Sequence, residues 1–325
     1  MFKLYKKENK QFKILQFTDV QIIDPKQKCC PDRLRPDEDI TFSDVNKNAF
    51  NVIREIINKE NPDWIIFTGD NVYGQFDKNG SAFKSFVDFI ESFKIKWSYI
   101  NGNHDGEKII TFNGKEYDCG QGFEAQNKYV KHHTKYCMYK SGNKKMGYGN
   151  YAIKLIENNK PIWSFIMMDS HGTQGYENPG INEYQLRWYE RTLNRIDKQN
   201  KNANNLLFFH IPNFEFRLAA KQYYGNEIFK IRGVNKRGDF GESNEIDCCF
   251  PSEIFFNKVK ELEKTKGIFV GHDHLNNSSI EYEGVRLTYG LKTGYYDYHK
   301  KELNGATKIL IDKDTFKIEH IFVKD

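Results

Sequence analysis

Short apolar runs that each end in a carboxylate, carboxamide or imidazole constrain this chain more than any other feature. FKILQFTDVQ (12–21), WIIFTGDN (64–71), WSYINGNHD (97–105), LLFFH (206–210) and GIFVGHDH (267–274) all have this form. Strand-sized apolar runs separated by helix-periodic segments are the pattern of an α/β protein. After the first run, residues 43–59 put Ala49, Val52, Ile53, Ile56 and Ile57 on one helical face, with Ser43 as N-cap and Pro62 as stop. Phe83, Phe86, Val87 and Ile90 form a second such stripe within 81–93. The order is strand, helix, strand, helix, strand, with polar residues at the carboxyl ends, where open α/β sheets bind ligands.

The same alternation continues. YAIKLI (151–156) and PIWSFIMMD (161–169) read as strands, 182–197 as a helix and the region near 251–264 as another. VRLTYG, ATKILID and FKIEHIFV close the chain as short strands. Residues 106–150 read as an irregular insertion or cap, and 213–247 as a long polar loop facing the substrate side. No repeat or linker divides the chain, so 1–325 is expected to form a single domain.

Composition removes several classes of function. Hydrophobic residues are 38% of the chain, and 26 Phe and 19 Tyr supply core volume, which argues against disorder. The longest apolar run, Ile162–Met168, is broken by Ser164 and falls far short of the roughly 20 residues that span a bilayer. No apolar segment follows the basic start MFKLYKKENKQFK, so a cytoplasmic location is expected and no membrane partner. Lys plus Arg is 49 against 44 Asp plus Glu; the surplus of +5 is dispersed, and nucleic acid is not expected as a partner. The six cysteines show two vicinal pairs and no CxxC. Reduced thiols are expected in the cytosol; a Cys119–Cys137 bridge belongs to the secreted alternative.

The chemistry lies in the run ends. Asp19-Val20-Gln21, Gly69-Asp70-Asn71, Gly102-Asn103-His104-Asp105, His210 and Gly271-His272-Asp273-His274 hold carboxylate, amide and imidazole donors. That mixed set suits Mn, Fe or Zn better than an all-thiolate or all-oxygen site would. Asp70, in a tight Gly-Asp turn, is the candidate to bridge two cations, and His272 and His274 can each serve a different one. Two adjacent cations lower the pKa of a shared water and clamp a phosphate for in-line attack. His104 is then placed to protonate the departing oxygen, with Asp105 as the residue that orients its imidazole. Outside the pattern, His132, His133 and His320 read as surface residues, and His171 and His299 as loop residues. Arg33 and Arg35 are solvated loop residues or contacts to a substrate phosphate, and Tyr295, Tyr296 and Tyr298 stack a base or an aryl leaving group, or pack a cap.

In order, these motifs resemble the D-x-H, G-D, G-N-H-D/E, H and G-H-x-H series of the calcineurin-like metallophosphoesterases. GYGNYAIKL, FIMMDS, YQLRWYE, LLFFHIP and YGLKTGYYDY extend the resemblance to the small purple acid phosphatase-like branch over roughly residues 12–299. The resemblance implies a four-layer α/β/β/α sandwich of two mixed sheets flanked by helices. It implies one metal on Asp19, Asp70 and His274, and a second on Asp70, Asn103, His210 and His272, with His104 as the acid. One position departs from the pattern, with Gln21 where most relatives have His. Either Gln21 ligates through its amide oxygen, as in the manganese-dependent diphosphatases that D-x-Q resembles, or Tyr73 of GDNVY ligates a ferric ion, as in purple acid phosphatases. Gln21 is preferred, since a buried strand-end Tyr is commonly packing.

The expected activity is hydrolysis of phosphomonoesters by attack of a metal-bridging hydroxide, with Mn or Fe as the metals and Zn as an alternative. The expected partner is a small phosphorylated substrate or a phosphoprotein. A phosphodiesterase or nucleoside-diphosphate pyrophosphatase is the alternative, and a non-catalytic metal-binding scaffold is a third reading.

Overall fold

Period-two alternation along three parallel strands decides which layers meet. In β2 (Phe12–Phe17) Phe12 and Ile14 join one core, and Leu15 and Phe17 the other. β3 (Trp64–Thr68) divides Trp64 and Ile66 from Ile65 and Phe67 in the same way, and β4 (Trp97–Ile100) divides Ile100 from Trp97 and Tyr99. A strand buried on both faces must lie between two other layers. In the computed structural model, which describes residues 1–27, 42–112, 114–172, 178–224, 250 and 253–323, it does.

These strands form a five-stranded mixed sheet with β13 (Gly305–Ile311) and β14 (Phe316–Phe322), in the order β14-β13-β2-β3-β4. The outer face of that sheet is covered by α1 (Phe42–Glu60) and α2 (Ser81–Glu91), which bury Ala49, Ile53, Phe83 and Phe86. The inner face packs on a seven-stranded mixed sheet. Its members are β1 (Phe2–Tyr5), β7 (Tyr151–Glu157), β8 (Lys160–Met167), β9 (Asn204–Phe208), β10 (Thr265–Val270), β12 (Val285–Tyr289) and β11 (Ser279–Tyr282), in that spatial order. Between the sheets Trp64 stacks on Phe165 (5.0 Å between centroids) and meets Phe208 edge-on at 5.9 Å. All three side chains are fully buried, each such burial contributing about 2–3 kcal/mol. α4 (Glu183–Asp197) and α6 (Glu253–Leu262) close the far side with Tyr189, Leu193, Phe255 and Val259. The architecture is the expected four-layer sandwich.

Two expectations about loops are corrected. Residues 106–150 are not irregular: they contain a hairpin of β5 (Ile109–Phe112) and β6 (Lys115–Asp118), followed by α3 (Gly122–His133). The start of the polar loop is α5 (Phe214–Tyr224). α3 buries only Gln126 and Val130, so its sequence carries no apolar stripe to betray a helix. Residues 225–247 of that loop, and Arg33 and Arg35, lie outside the described residues. No disulfide joins Cys119 to Cys137.

His320 is also corrected. It lies on β14 with both ring nitrogens engaged, Nδ1 at 3.0 Å from Thr307 Oγ1 and Nε2 at 2.8 Å from the Asn277 carbonyl. His132 and His133 are exposed, as expected.

One hydrogen bond sets the position of the site. Gln16, buried on the inner face of β2, donates from Nε2 to Thr68 Oγ1 (2.9 Å) and to the Val270 carbonyl (3.0 Å). That bond ties the carboxyl end of β2 to the carboxyl end of β10 across the gap between the sheets. The loops after β2, β3, β4, β9 and β10 therefore open onto one place.

Candidate metal centre

The five loops leave their strands by sharp turns. Asp19, Gln21, Asp70 and His272 all adopt positive φ, between 48° and 76°, a conformation that costs a non-glycine residue energy and persists where neighbours enforce it. The enforcing contacts are backbone bonds between loops: Asp19 N donates to the Gly69 carbonyl (3.0 Å) and Gln21 N to the Asp70 carbonyl (2.9 Å). Gly102 must be glycine here, because a Cβ would collide with Asp70 Oδ1.

Asp19, Asp70 and His210 offer ligand atoms that all lie within 4.8 Å of one another, and all three are buried. Asp19 Oδ2 accepts from Thr18 Oγ1 (2.7 Å) and from the backbone N of His272 (3.0 Å). Its other oxygen, Oδ1, is buried with no hydrogen-bond partner and lies 3.3 Å from His274 Nε2 and 3.9 Å from His210 Nε2. Asp70 Oδ1 accepts from the backbone N of His104 (2.9 Å), while Oδ2 is 3.3 Å from His210 Nε2. Asn103 Oδ1 is 3.1 Å from the same Nε2, and the His272 and His210 rings are 5.2 Å apart. The six residues Asp19, Asp70, Asn103, His210, His272 and His274 thus converge.

The tautomers of two histidines follow from their outer partners. His210 Nδ1 faces the Thr68 carbonyl at 2.9 Å and His274 Nδ1 faces the Tyr298 carbonyl at 2.9 Å. A carbonyl only accepts, so each Nδ1 carries the hydrogen and each Nε2 turns toward the carboxylates. An orphaned carboxylate oxygen facing imidazole nitrogens, each held from behind by a carbonyl, is the arrangement of a metal-binding shell. The residues fit a bound cation.

The same neighbours shift the pKa values of the cluster without a cation. Burial pushes Asp19 up, but His210 and His274 outweigh it and bring it down to about 2. Asp70 is likewise held below the usual carboxylate range, burial being overcome by His210 and His104. Burial lowers His210 while Asp70 and Asp19 raise it more, to about 9. Burial and the neighbouring His210 drive His272 down to about 3, and burial and Lys292 lower His274.

His104 lies at the edge of this cluster, with Nε2 4.0 Å from Asp70 Oδ2. Burial lowers its pKa, but Glu107 and Asp70 raise it to about 10. Asp105 does not orient it, contrary to expectation. The Asp105 carboxylate accepts from Gly102 N (2.7 Å), Val72 N (3.0 Å) and Asn71 Nδ2 (3.1 Å), bracing the loop itself. Burial and Asp70 push it up to about 7. The residue on His104 Nδ1 is Glu107, at 2.9 Å. Sequence reasoning missed Glu107 because i,i+3 spacing in a polar turn has no signature.

Gln21 is buried, and its amide oxygen accepts from Lys292 Nζ at 2.6 Å, while Nε2 faces His274 Nε2 at 3.4 Å. Lys292 also donates to the Asp19 carbonyl (3.3 Å). Tyr73, the alternative to Gln21, stacks its ring on His104 at 4.1 Å and meets Tyr296 edge-on at 4.9 Å. His171 lies apart, with Nδ1 at 2.8 Å from the Gly180 carbonyl.

The model of the calcineurin-like phosphoesterases matches residues 12–276, from β2 through all five loops. The chain belongs to that family. Among curated proteins this phosphoesterase is similar to the probable inactive purple acid phosphatase 14 of Arabidopsis thaliana, at 30% identity over 89% of this chain and 72% of the relative. Among solved structures the phosphoesterase fold is shared with a dimetal phosphatase from Danio rerio (TM-score 0.56, 13% identity, 96% of each chain). It is shared as well with the yellow lupin purple acid phosphatase PPD1 (TM-score 0.54, 14% identity, 95% of this chain and 51% of that one). Among the described residues no helix is long and apolar enough to cross a membrane.

Proposed function

We propose that this phosphoesterase hydrolyses phosphate monoesters of small molecules or phosphoproteins at a two-metal centre. The observation that carries this reading is the orphaned Asp19 Oδ1, buried among His210, His274 and Asp70, with the His104 ring at the rim. Asp19, Asp70 and His274 would hold one cation, and Asp70, Asn103, His210 and His272 the other. Gln21 or Tyr73 would complete the first set, with manganese or iron the metals that these donors suit, and zinc a third choice. When bound, the cations supply Lewis acidity to a water and to the phosphoryl oxygens.

The chain's own residues do the rest. The carbonyls behind His210 and His274 lock the donor nitrogens in place, and Asp105 keeps the Asn103–His104 turn rigid. His104 presents Nε2 to the leaving oxygen, and the negative charge of Glu107 and Asp70 keeps its proton available for transfer.

Asp70→Ala removes the donor common to both sets. In metal-loaded protein it is expected to lower p-nitrophenyl phosphate turnover at least about a thousandfold. Robust activity in that variant defeats the mechanism. The same assay on bis-aryl phosphate and ADP-ribose separates monoesters from diesters and diphosphates, and clear preference for either of the latter moves the reading to the diesterase or pyrophosphatase alternative. The word inactive in the name of the Arabidopsis relative supports a non-catalytic scaffold as the second reading. Bound metal without turnover on any of these esters selects it.

A further inference from the structure

We infer that Glu107 is the positioning residue of the His104 acid. It fixes the ring by holding Nδ1–H, and so turns Nε2 toward the leaving oxygen of the substrate. This inference rests on the phosphoesterase reading above.

The His104 ring is held by a stacking partner on one face and by Glu107 at Nδ1. Glu107 is buried, and its Oε1 accepts from two donors, Gln75 Nε2 at 2.7 Å and His104 Nδ1 at 2.9 Å. Gln75 thus fixes the carboxylate that fixes the imidazole. Tyr73 lies nearly flat on the ring, 20° from parallel at 4.1 Å, and is itself buttressed by Tyr296 and Phe76. The turn beneath is pinned as well, the His104 carbonyl accepting from Gly74 N (2.9 Å) and Glu107 N (3.3 Å). A side chain at Gly74 would collide with that carbonyl. The adjacent Asp105 cannot substitute, because both its oxygens are taken by the loop. Only Nε2 is left facing the donor cluster, 4.0 Å from Asp70 Oδ2. A carboxylate behind an imidazole sets its tautomer and direction.

In the step this serves, a water gives up one proton to solvent and its oxygen forms a bond to phosphorus while the bond from phosphorus to the ester oxygen breaks. The ester oxygen keeps the bonding pair and takes the proton from His104 Nε2. The neutral ring left behind carries its hydrogen on Nδ1, against Glu107, and regains the Nε2 proton from solvent.

The effect of losing an oriented acid depends on the leaving group, which a merely structural role would not produce. Glu107→Ala, loaded with metal, is expected to lose about a hundredfold in kcat on an alkyl phosphate, within the range assigned to general acids. On 2,4-dinitrophenyl phosphate, whose leaving group needs no proton, the loss is expected to stay within about threefold. Glu107→Gln, which keeps an acceptor oxygen, is expected to recover part of the alkyl rate. Metal content measured alongside is expected to equal that of the unmodified protein. Equal loss on both esters with metal retained overturns the inference, and if Glu107→Ala does not fold, the same comparison is made on Glu107→Gln. A readout independent of turnover is the His104 Nδ1–H in a proton–nitrogen spectrum of zinc-loaded protein, expected to exchange slowly and to lose that protection in the variant. Rapid exchange in the unmodified protein counts against Glu107. No turnover on any ester falls on the phosphoesterase reading instead, and the exchange rate still decides the role of Glu107.

Discussion

Lys292 places a buried ammonium beside the donors of a cation, bonded to the amide oxygen of Gln21 and the carbonyl of Asp19. A unit charge at such a place costs a nearby cation roughly 1–4 kcal/mol. Lys292→Met, of similar length without the charge, is therefore expected to tighten the weaker Mn²⁺ step by about tenfold in a calorimetric titration of the stripped protein. Unchanged affinity would mean that the ammonium is screened from the cation. At this scale the sequence was informative about donor types and silent about their partners. Asp19, Asp70, Asn103, His210, His272 and His274 were legible because each ends an apolar run. Glu107 and Lys292 were not, because a side chain that acts by bonding a neighbour from another loop leaves no spacing to detect. Asp105 misled for the same reason: adjacency along the chain suggested a contact with His104 that the turn gives to Glu107.

The elements were readable where burial was one-sided or complete. α4 shows why. Asn182 accepts from Tyr184 N (3.0 Å) and Gln185 N (3.1 Å), and Gln185 Oε1 returns the bond to Asn182 N (2.8 Å), a reciprocal cap ahead of an apolar stripe. Gln185 also donates to the Asp169 carbonyl (2.6 Å), so the cap is joined to the strand end that follows β8. Asn182→Ala is expected to cost about 1 kcal/mol in urea unfolding, and Asn182→Ser to recover most of it. A loss below the error of the midpoint would show that the helix is held by packing alone. α3 escaped notice because polar residues dominate it and it buries only Gln126 and Val130, whereas α5, which buries Phe216, Ala219 and Ala220, reads in the sequence as part of the polar stretch that follows it. β1 and β11, four residues each and at the two edges of the large sheet, are too short for an alternation to register.

Across the whole molecule, one of the hydrogen bonds that join the two sheets titrates. His320 on β14 reaches the Asn277 carbonyl beyond β10, so it bridges the small sheet to a loop of the large one. The carbonyl requires the hydrogen on Nε2, which leaves Nδ1 to accept from Thr307 Oγ1. Burial lowers its pKa to about 4, below the ordinary 6.5. The folded state therefore favours the neutral ring. Its contribution is complete above pH 6.5 and is lost as the pH falls from 6.5 through 4. His320→Gln is expected to be less stable at pH 7.5 and to lose less on acidification to pH 4.5, read as melting temperature against pH. Parallel curves for the two proteins would remove the bridge from the acid response.

The Gln16 tie between β2 and β10 has a last consequence. Asp19, Asp70 and Asn103 follow strands of the small sheet and His210, His272 and His274 follow strands of the large one, so neither sheet alone supplies the whole donor set. Cation capture is then an all-or-nothing property of the finished tertiary structure, and a chelator should depress thermal resistance everywhere at once instead of loosening one corner.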